Sequence, residues 1–425
     1  MLVLCMVIFF GLLAIGCPIV LCMGISSGSW LLLNEAVPDL VIAQKMFTSA
    51  DSFTLMAVPF FMLAGQIMDR SGITEVIIDF ADTLVGHIRG GLGHTCELAG
   101  ALMATISGSS NAGASALGAM LLKGLKNNGY DSGMAGAIVA SAASLGPIIP
   151  PSIIMILYGN AIGENIGALF MSGALPGVLL CIGYMIVVYV YAVKHNIPKR
   201  DHFAGWNNVF HSFLNAFFAL LMPVINIGGI LAGVVTATEA GVVASLYGII
   251  YGLVRRRLTF RDIIEAVRGA VISAASPLAI ICISSIFSYV LAREGLTAMI
   301  ANFCANSITS PFAFMIFVFA VCLVAGCFVD GTAVMLLLTP IFYPISQSMG
   351  IPTLQFSIIF MIAIMSGGLT PPVGSVLFVT AGVHGDPLGK IAKAIIPFVC
   401  VLAIVEVILL FVPQLATFVP SLFGY

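Results

Sequence analysis

Long apolar runs separated by short polar segments dominate the 425-residue chain. The stretches that contain no Asp, Glu, Lys or Arg are residues 1–34, 98–122, 132–163, 165–193, 202–238, 269–292, 295–329 and 331–385. A membrane-spanning helix needs about 20 mostly apolar residues, and several of these stretches are long enough for two. The pattern therefore predicts an all-α polytopic membrane protein. The apolar start of the chain has no basic residues before it, so we interpret it as the first membrane segment rather than a signal peptide.

The composition narrows the possible functions. Only 8% of the residues are charged and 60% are hydrophobic, with a net charge of -2, whereas a soluble domain carries about 25% charged residues. The sequence shows neither a basic stripe for nucleic acid nor a GxxxxGK[ST] loop for ATP, so it predicts neither nucleic-acid binding nor direct use of ATP. Most of the ten cysteines lie inside apolar runs without a CxxC pair, which predicts buried thiols rather than disulfides or metal ligands.

Two basic clusters, at 194–201 and 255–268, indicate the orientation. Apolar stretches at 209–231 and 238–254 lie between them, so two crossings would return the chain to the same side. The positive-inside rule predicts that this side is cytoplasmic, although the clusters could equally serve only to hold lipid headgroups. The amphipathic segment 258–268 is expected to lie along the membrane surface.

Three matches indicate an internal duplication of about 220 residues. Arg70–Thr74 matches Arg293–Thr297 at an offset of 223. At an offset of 221, Ser109–Ala112 matches Asp330–Ala333. At the same offset of 221, Gly146, Pro150 and Pro151 match Gly367, Pro371 and Pro372. Membrane proteins built from two such halves are typically transporters whose binding site lies where the repeats meet.

Glycine and proline interrupt one apolar run in each half, at 145–152 (LGPIIPPS) and 366–373 (SGGLTPPV). Proline lacks an N–H group and disfavours helical backbone in the residue before it, so each Pro-Pro pair should unwind its helix. The predicted break positions are Pro150, Pro151, Pro371 and Pro372. The freed carbonyl groups would be costly in lipid unless they are satisfied, and a dehydrated cation could satisfy them because hard cations prefer oxygen ligands.

A short element rich in small residues precedes each break, at 106–118 and at 330–333. Each is typical of the tip of a hairpin that enters the membrane and turns back. Helices that begin there would direct unpaired N–H groups and positive dipole ends towards an anionic substrate. Small residues also serve close helix packing, but the recurrence at one offset favours a site.

Glu239 is an isolated acid in a mostly apolar region and allows two interpretations. It could mark the beginning of a helix, where a carboxylate is favoured by the dipole. It could instead carry a proton or a cation within the membrane.

These motifs resemble the large membrane subunit of the tripartite ATP-independent periplasmic (TRAP) transporters, the DctM-like family. The matching stretches are Pro59–Gly65, Arg89–Leu92, Ile106–Ser109, Gly146–Ser152, Thr238–Ala240, Arg293–Gly295 and Thr370–Gly374. They follow the family order over nearly the whole chain. Two positions depart from the family pattern: Gly113, which often holds an acid there, and Ala237, which is usually proline. The first change would alter substrate or ion preference, and the second would loosen the turn at Glu239.

The resemblance implies two inverted repeats with re-entrant hairpins and broken helices, in an elevator-type transporter whose transport domain moves against a scaffold. In the first repeat we expect scaffold helices at 1–90, followed by the first hairpin and broken helix at 91–165. Residues 166–292 are expected to form further scaffold helices, the basic loops and a surface arm helix. The second hairpin and broken helix would follow at 293–390, and a C-terminal membrane helix at 391–425.

The resemblance also implies two sodium sites and no other metal or cofactor. The first would use Ser107, Ser109, Gly146 and Ile149. The second would use Asp330, Thr332, Gly367, Gly368 and Thr370. The substrate is expected to contact Ser110, Asn111, Ser152 and Gly331.

The implied partners are a small four-helix membrane subunit and a soluble periplasmic binding protein. We expect the small subunit to be a separate polypeptide, because this chain is too short to include it. The predicted function is sodium-driven import of a carboxylate-bearing organic anion, such as sialic acid or a C4-dicarboxylate, across a bacterial inner membrane. It is transport and not enzymatic catalysis.

Three alternatives stay open at this point. A stand-alone sodium/carboxylate symporter or a sodium–proton exchanger would use the same broken helices and need no binding protein. A channel fits less well, because paired hairpins imply an occluded site. An intramembrane hydrolase would need a serine beside a general base, for which Ser109 and His94 are the candidate pair in the sequence.

Overall fold

The computed structural model describes residues 1–34, 38, 40–199, 203, 205–296, 298–300, 302, 310–372 and 374–425, without the side chain of His384. Within these ranges all regular structure is helical. The helices before residue 200 are α1 (Leu2–Ala14), α2 (Ile19–Leu32), α3 (Leu40–Ala50), a 3-10 turn (Phe53–Met56), α4 (Ala57–Ser71), α5 (Ile73–Val85), α6 (Gly91–Ser107), α7 (Ser110–Asn127), α8 (Ser132–Ser144), α9 (Ile153–Ile162) and α10 (Ile166–Lys194). The later helices are α11 (Trp206–Leu231), α12 (Ala237–Val254), α13 (Phe260–Arg293), α14 (Pro311–Phe328), α15 (Gly331–Ser348), α16 (Thr353–Gly368), α17 (Ser375–His384), α18 (Leu388–Ala394), α19 (Ile396–Phe411) and α20 (Gln414–Leu422).

The length and hydropathy of the helices are those of a multi-pass membrane protein. Each of α10 to α14 is long and apolar enough to cross a bilayer. Two bent pairs, α3 with the 3-10 turn and α4 (59°) and α18 with α19 (43°), bring the possible spans in the described part to seven. Large apolar side chains such as Ile186 and Phe218 lie on the outer surface, where they would contact lipid. The prediction of an all-α polytopic protein is confirmed.

Several sequence-based boundaries agree with the helix ends. The apolar stretches at 209–231 and 238–254 correspond to α11 and α12. The repeated Arg70 and Arg293 each lie in the last turn of a helix, α4 and α13 respectively. Just after α13, Glu294 accepts a hydrogen bond from Trp30 Nε1 (2.7 Å), and this bond holds the pKa of its carboxyl below the ordinary value.

The segment 258–268 does not form a helix of its own. Its residues from Phe260 onward are the first turns of α13, which continues to Arg293. Thr259 and Asp262 form a reciprocal capping box at the start. No proline interrupts the backbone hydrogen bonds before Pro277, so the amphipathic turns run directly into the apolar part. A position along the membrane surface stays a prediction.

Each half contains a helical hairpin followed by an interrupted helix. Gly108 and Ser109 join α6 to α7, and Val329 and Asp330 join α14 to α15. The helix that starts as α8 resumes as α9 after residues 145–152, and the helix that starts as α16 resumes as α17 after 369–374. Both Pro-Pro bonds in these interruptions are cis.

Two residues of the first basic cluster, Arg200 and Asp201, lie outside the described residues.

The two hairpin regions pack against each other. Helix α7 contacts α17, and α8 contacts both α17 and α18. A β-carbon placed on Gly133 of α8 would lie 2.7 Å from the backbone carbonyl oxygen of Lys390 in α18, so glycine at this position permits the close approach of the two helices. At one end, Lys126 Nζ of α7 donates to Asp386 Oδ2 (2.6 Å). The first hairpin and the second interrupted helix therefore form one packed unit.

Replacing Asp386 with Asn is expected to loosen this unit. The side chains of Lys126 and Asp386 are only 30% and 10% exposed, so losing the charge should lower stability by about 1–2 kcal/mol. The measurement is the melting temperature of the detergent-purified protein. Glu265→Gln is the matched control, because its ion pair with Arg261 is exposed and such pairs contribute about 0–1 kcal/mol. Equal melting temperatures for the two variants would contradict the expected role.

Candidate functional site

A cavity of about 490 Å³ lies where the tips of the two hairpins meet. The tip of the first hairpin contributes Ser107 to Ala112, and the second contributes Asp330 to Thr332. The opposite wall comes from residues of α4 and α13, most of them polar or small, namely Met62, Gly65, Gln66, Asp69, Ser273, Ser276 and Pro277. Its volume falls within the roughly 300–1,000 Å³ of small-molecule sites.

Two helices begin at this cavity. Ser109 is the N-cap of α7, and its hydroxyl accepts a bond from Ala112 N (3.5 Å). Asp330 is the N-cap of α15 and accepts a bond from Thr332 N (3.0 Å). The N-terminus of a helix carries a positive partial charge and free N–H groups, which favour anions. Beside the first N-terminus, the buried Oδ1 of Asn111 has no hydrogen-bond partner.

The formal charge on the described cavity wall is negative. Asp69 and Asp330 line it, and no Lys, Arg or His is among the described lining residues. Any anion bound here would have to be held by helix ends and by amide N–H or hydroxyl groups, because the described lining side chains offer no cation.

The first tip packs directly on the first interruption. Ile153 N donates to the carbonyl oxygen of Gly108 (3.4 Å), and Gly108 has a left-handed φ of +58°. A β-carbon there would lie 2.6 Å from the Pro151 carbonyl oxygen, and one on Gly146 would lie 3.1 Å from the Ser109 carbonyl carbon. Only glycine permits this contact between tip and break.

Ser152 has a local structural role. It is fully buried, its hydroxyl donates to the Pro147 carbonyl (2.7 Å), and it accepts a bond from Met155 N (3.3 Å). It caps α9 behind the cavity wall. The structure therefore separates Ser152 from the other three expected substrate contacts.

The second tip and second interruption are also in contact. Gly374 N donates to the Cys327 carbonyl (3.3 Å). A β-carbon on Gly367 would lie 2.6 Å from Gly326 Cα. The hydroxyl of Thr370 donates to the Ser366 carbonyl (2.6 Å), so this hydroxyl is engaged with its own helix.

The predicted site residues thus divide into two layers. On the cavity wall lie Ser107, Ser109, Ser110, Asn111, Asp330, Gly331, Thr332 and Gly368. Outside the set of lining residues lie Gly146, Ile149, Ser152, Gly367, Thr370, Pro150, Pro151, Pro371 and Pro372. The ion-binding roles assigned to either layer stay predictions.

Sequence reasoning missed the wall opposite the tips. Gln66 and Asp69 belong to α4, and Ser273 and Ser276 belong to α13. Each is a polar residue in a mostly apolar helix, which is the available sequence signal. Asp69 lies near the end of α4, which ends two residues later at Ser71.

Glu239 begins α12, as one of its two interpretations predicts. Its backbone N donates to Thr236 Oγ1 (3.2 Å), and its Oε2 accepts from Thr236 N (2.7 Å). This capping box confirms the helix-start interpretation. Glu239 and Glu164 line a separate opening of about 560 Å³, which shares no lining residue with the cavity at the hairpin tips.

Comparison with known proteins decides the family. A family model described as "Tripartite ATP-independent periplasmic transporter, DctM component" matches residues 6–415. The chain belongs to this family. The resemblance to the TRAP large membrane subunit is thus confirmed.

Curated relatives support the assignment over nearly the full length. The sialic acid TRAP transporter large permease protein SiaM of Vibrio cholerae is 35% identical over 422 residues, covering 98% of both chains. The C4-dicarboxylate TRAP transporter large permease protein DctM of Pseudomonas aeruginosa is 36% identical over 411 residues, covering 95% of this chain and 94% of the relative. This TRAP large permease is therefore related to membrane transporters.

A solved structure shares the fold at low sequence identity. The YdaH transporter of Alcanivorax borkumensis has a TM-score of 0.65 with this chain, covering 88% of it and 87% of YdaH, at 14% identity. At this identity the similarity concerns the fold alone.

Gly367→Ala is expected to disrupt the second tip of this TRAP large permease. The added methyl group would meet the Gly326 backbone, and overpacking of this kind costs about 1–3 kcal/mol. The measurements are the yield of monodisperse protein and its melting temperature. Gly382→Ala in α17 is the control, because no atom of the described residues lies within 4 Å of its β-carbon position; it should melt no lower than the unmodified protein. A Gly367→Ala variant as stable as the control would contradict the close contact.

Proposed function

We propose that this TRAP large permease imports a carboxylate-bearing organic anion by sodium symport, through an elevator movement. The observation that carries this proposal is the cavity built from both hairpin tips, whose described wall has two acids and no basic side chain.

The substrate carboxylate would lie at the beginnings of α7 and α15. The N–H groups of Ser110 and Gly331 are the first of each helix, and those first groups lack partners within a helix. The Oδ1 of Asn111, which has no partner among the described residues, is an acceptor and would bind a hydroxyl group or the cation rather than the carboxylate. The helix N-termini stabilise the anion without a buried Lys or Arg.

Sodium would supply the missing positive charge. The proposed first site combines the hydroxyls of Ser107 and Ser109 with carbonyl oxygens of Gly146 and Ile149. The contact of Gly146 with Ser109 supports this arrangement. Mostly neutral oxygen ligands favour a monovalent ion over Ca²⁺, whose sites generally use more carboxylates.

The proposed second site lies at the second tip and the end of α16. It combines Asp330 and Thr332 with Gly367, Gly368 and Thr370. Asp330 and Gly368 share the cavity wall. Since the hydroxyl of Thr370 donates to Ser366, an oxygen lone pair of Thr370 or its carbonyl would bind the ion.

The two walls of the cavity suit an elevator. The tips belong to the proposed transport domain (91–165 and 293–390), whereas α4 and α13 belong to the proposed scaffold (1–90 and 166–292). Helices α4 and α13 also pack against each other. Sliding of the transport domain along this pair would carry the tips across the membrane, as expected for inverted repeats.

Sodium coupling would use both the ion gradient and the membrane potential. Two Na⁺ with one monocarboxylate move one net positive charge inward, which the potential favours by about 2.3 kcal/mol per 100 mV. Sodium and substrate should strengthen each other's binding by the same factor, because both bind the hairpin tips.

We further propose that the protein works in a bacterial inner membrane with two partners. The family description "tripartite" and "periplasmic" supports a periplasmic binding protein and a small membrane subunit beside this chain. The relatives named for sialic acid and C4-dicarboxylate support an organic acid as the substrate.

Sodium dependence is tested by uptake into proteoliposomes. The complex is supplied with its binding protein and radiolabelled sialic acid or succinate, whichever that protein captures. Uptake should require an inward sodium gradient and should fall to background when choline replaces sodium on both sides. Undiminished uptake without sodium would exclude symport, and uptake by this chain alone would favour a stand-alone symporter.

A reversible cross-link tests the elevator. A β-carbon on Gly65 of α4 would lie 3.6 Å from Ser107 Cβ, within the roughly 3.5–4.5 Å that a disulfide requires. The Gly65→Cys/Ser107→Cys variant should therefore lose transport on oxidation, because the tip would be tied to the scaffold, and regain it on reduction. The Ser107→Cys single variant is the control for the direct effect of the thiol. A confirmed cross-link that leaves transport unchanged would contradict movement between these walls.

A further inference from the structure

The wall opposite the hairpin tips contains one acid among its described residues, Asp69. Asp69 of α4 lines the cavity and is accessible to solvent. Its Oδ1 accepts a hydrogen bond from Thr74 Oγ1 (3.2 Å). A carboxylate has about four acceptor positions, so Asp69 can accept further bonds from a molecule in the cavity.

Three neutral polar side chains accompany Asp69 on this wall. Gln66 lies one turn earlier on α4, and Ser273 and Ser276 come from α13. Gln and Ser both donate and accept hydrogen bonds. The wall therefore suits the hydroxyl groups of a solute, with Asp69 acting purely as an acceptor when ionised.

The two walls have opposite electrostatic preferences. The tips present helix N-termini, which favour a carboxylate; their acid among the described lining residues, Asp330, accepts the N–H of Thr332 and belongs to the proposed second sodium site. The α4 side instead presents the carboxylate of Asp69, which is not one of the proposed ion ligands. A solute that carries a second carboxylate at its far end would bring it towards Asp69. Like charges at short distance repel strongly, and none of the described lining residues offers a compensating basic group.

From this asymmetry we infer that the cavity selects a monocarboxylate whose far end carries hydroxyl groups, with Asp69 as the residue that accepts their hydrogen bonds and rejects a second carboxylate. The inference rests on the proposed function, because it assumes that the hairpin tips bind the substrate carboxylate. The volume of about 490 Å³ accommodates a solute of sugar-acid size. Asp69 is thus a specificity residue in contact with the substrate.

Three probes of equal carbon number separate the possibilities. D-gluconate has one carboxylate and a hydroxyl-bearing far end, D-glucarate replaces the terminal CH₂OH by a second carboxylate, and hexanoate lacks the hydroxyls. Their affinities are measured by calorimetry in saturating sodium, on the full chain co-purified with its small subunit in lipid nanodiscs. Gluconate should bind at least about tenfold more tightly than either other probe, as expected for hydrogen bonds to a charged group.

Asp69→Asn removes the charge and keeps the shape. It should bind glucarate more tightly and gluconate more weakly, bringing the two affinities to within about threefold. Asp79→Asn is the matched control, because Asp79 is an exposed acid of α5 that does not line the cavity. This control should keep the preference of the unmodified protein. The sodium concentration for half-maximal gluconate binding should be the same in both variants.

Each contrary result has a defined meaning. Glucarate or hexanoate binding as tightly as gluconate to the unmodified protein, or no binding of any probe, would overturn the inferred substrate class. An unchanged preference in Asp69→Asn would overturn the role of Asp69, as would a selective loss of sodium affinity, which would make it an ion ligand. Sodium-dependent uptake of the captured acid would still uphold the proposed function in all these cases, whereas sodium-independent uptake would overturn that function whatever the probes show.

Discussion

Backbone N–H and C=O groups at membrane depth must find partners inside the protein, and the rest of this structure depends on that constraint. The chain interrupts its helices at two tips and at two Gly- and Pro-containing breaks. In each half the tip lies against the break of the same half. Ile153 N bonds to the Gly108 carbonyl in the first half, and Gly374 N bonds to the Cys327 carbonyl in the second. The interruptions therefore satisfy part of each other's hydrogen bonding.

Glycine makes these contacts possible, and packing joins them into one unit. The backbones of Gly326 and Gly367 approach so closely that a methyl group on either would collide with the other. Glycine at position 133 allows α8 to lie close to the backbone of α18 at Lys390 in the same way. Since the first hairpin also binds the second interrupted helix through the ion pair of Lys126 and Asp386, the two tips are held in register around one cavity. A moving domain with this construction would carry its whole ion and anion site with it.

The electrostatics of the cavity follow from the scarcity of basic side chains there. Helix ends and neutral groups at the tips favour an anion, and the oxygen-rich surroundings favour a small cation. Neither preference needs a Lys or Arg, whose burial would be costly in the membrane. The wall formed by α4 and α13 also carries an acid, Asp69, and unlike Asp330 this acid is not one of the proposed ion ligands. In the proposed mechanism the substrate would therefore meet an attractive wall on the moving domain and a selective wall on the scaffold.

The sequence by itself determined the membrane class, the family, the positions of the hairpin tips and the start of α12 at Glu239, because each depends on residues close together in the chain. Apolar run length, proline chemistry and capping are local properties that a sequence displays directly. Only the tertiary structure decided that Gln66 and Asp69 face the tips together with Ser273 and Ser276, since these pairs are some 200 residues apart and share no motif. It also decided that Ser152 points to the Pro147 carbonyl instead of the cavity, and that the turns after Thr259 continue into α13. Which face of a helix meets which neighbour depends on the packing of the whole chain, and a linear pattern of residues does not contain that information.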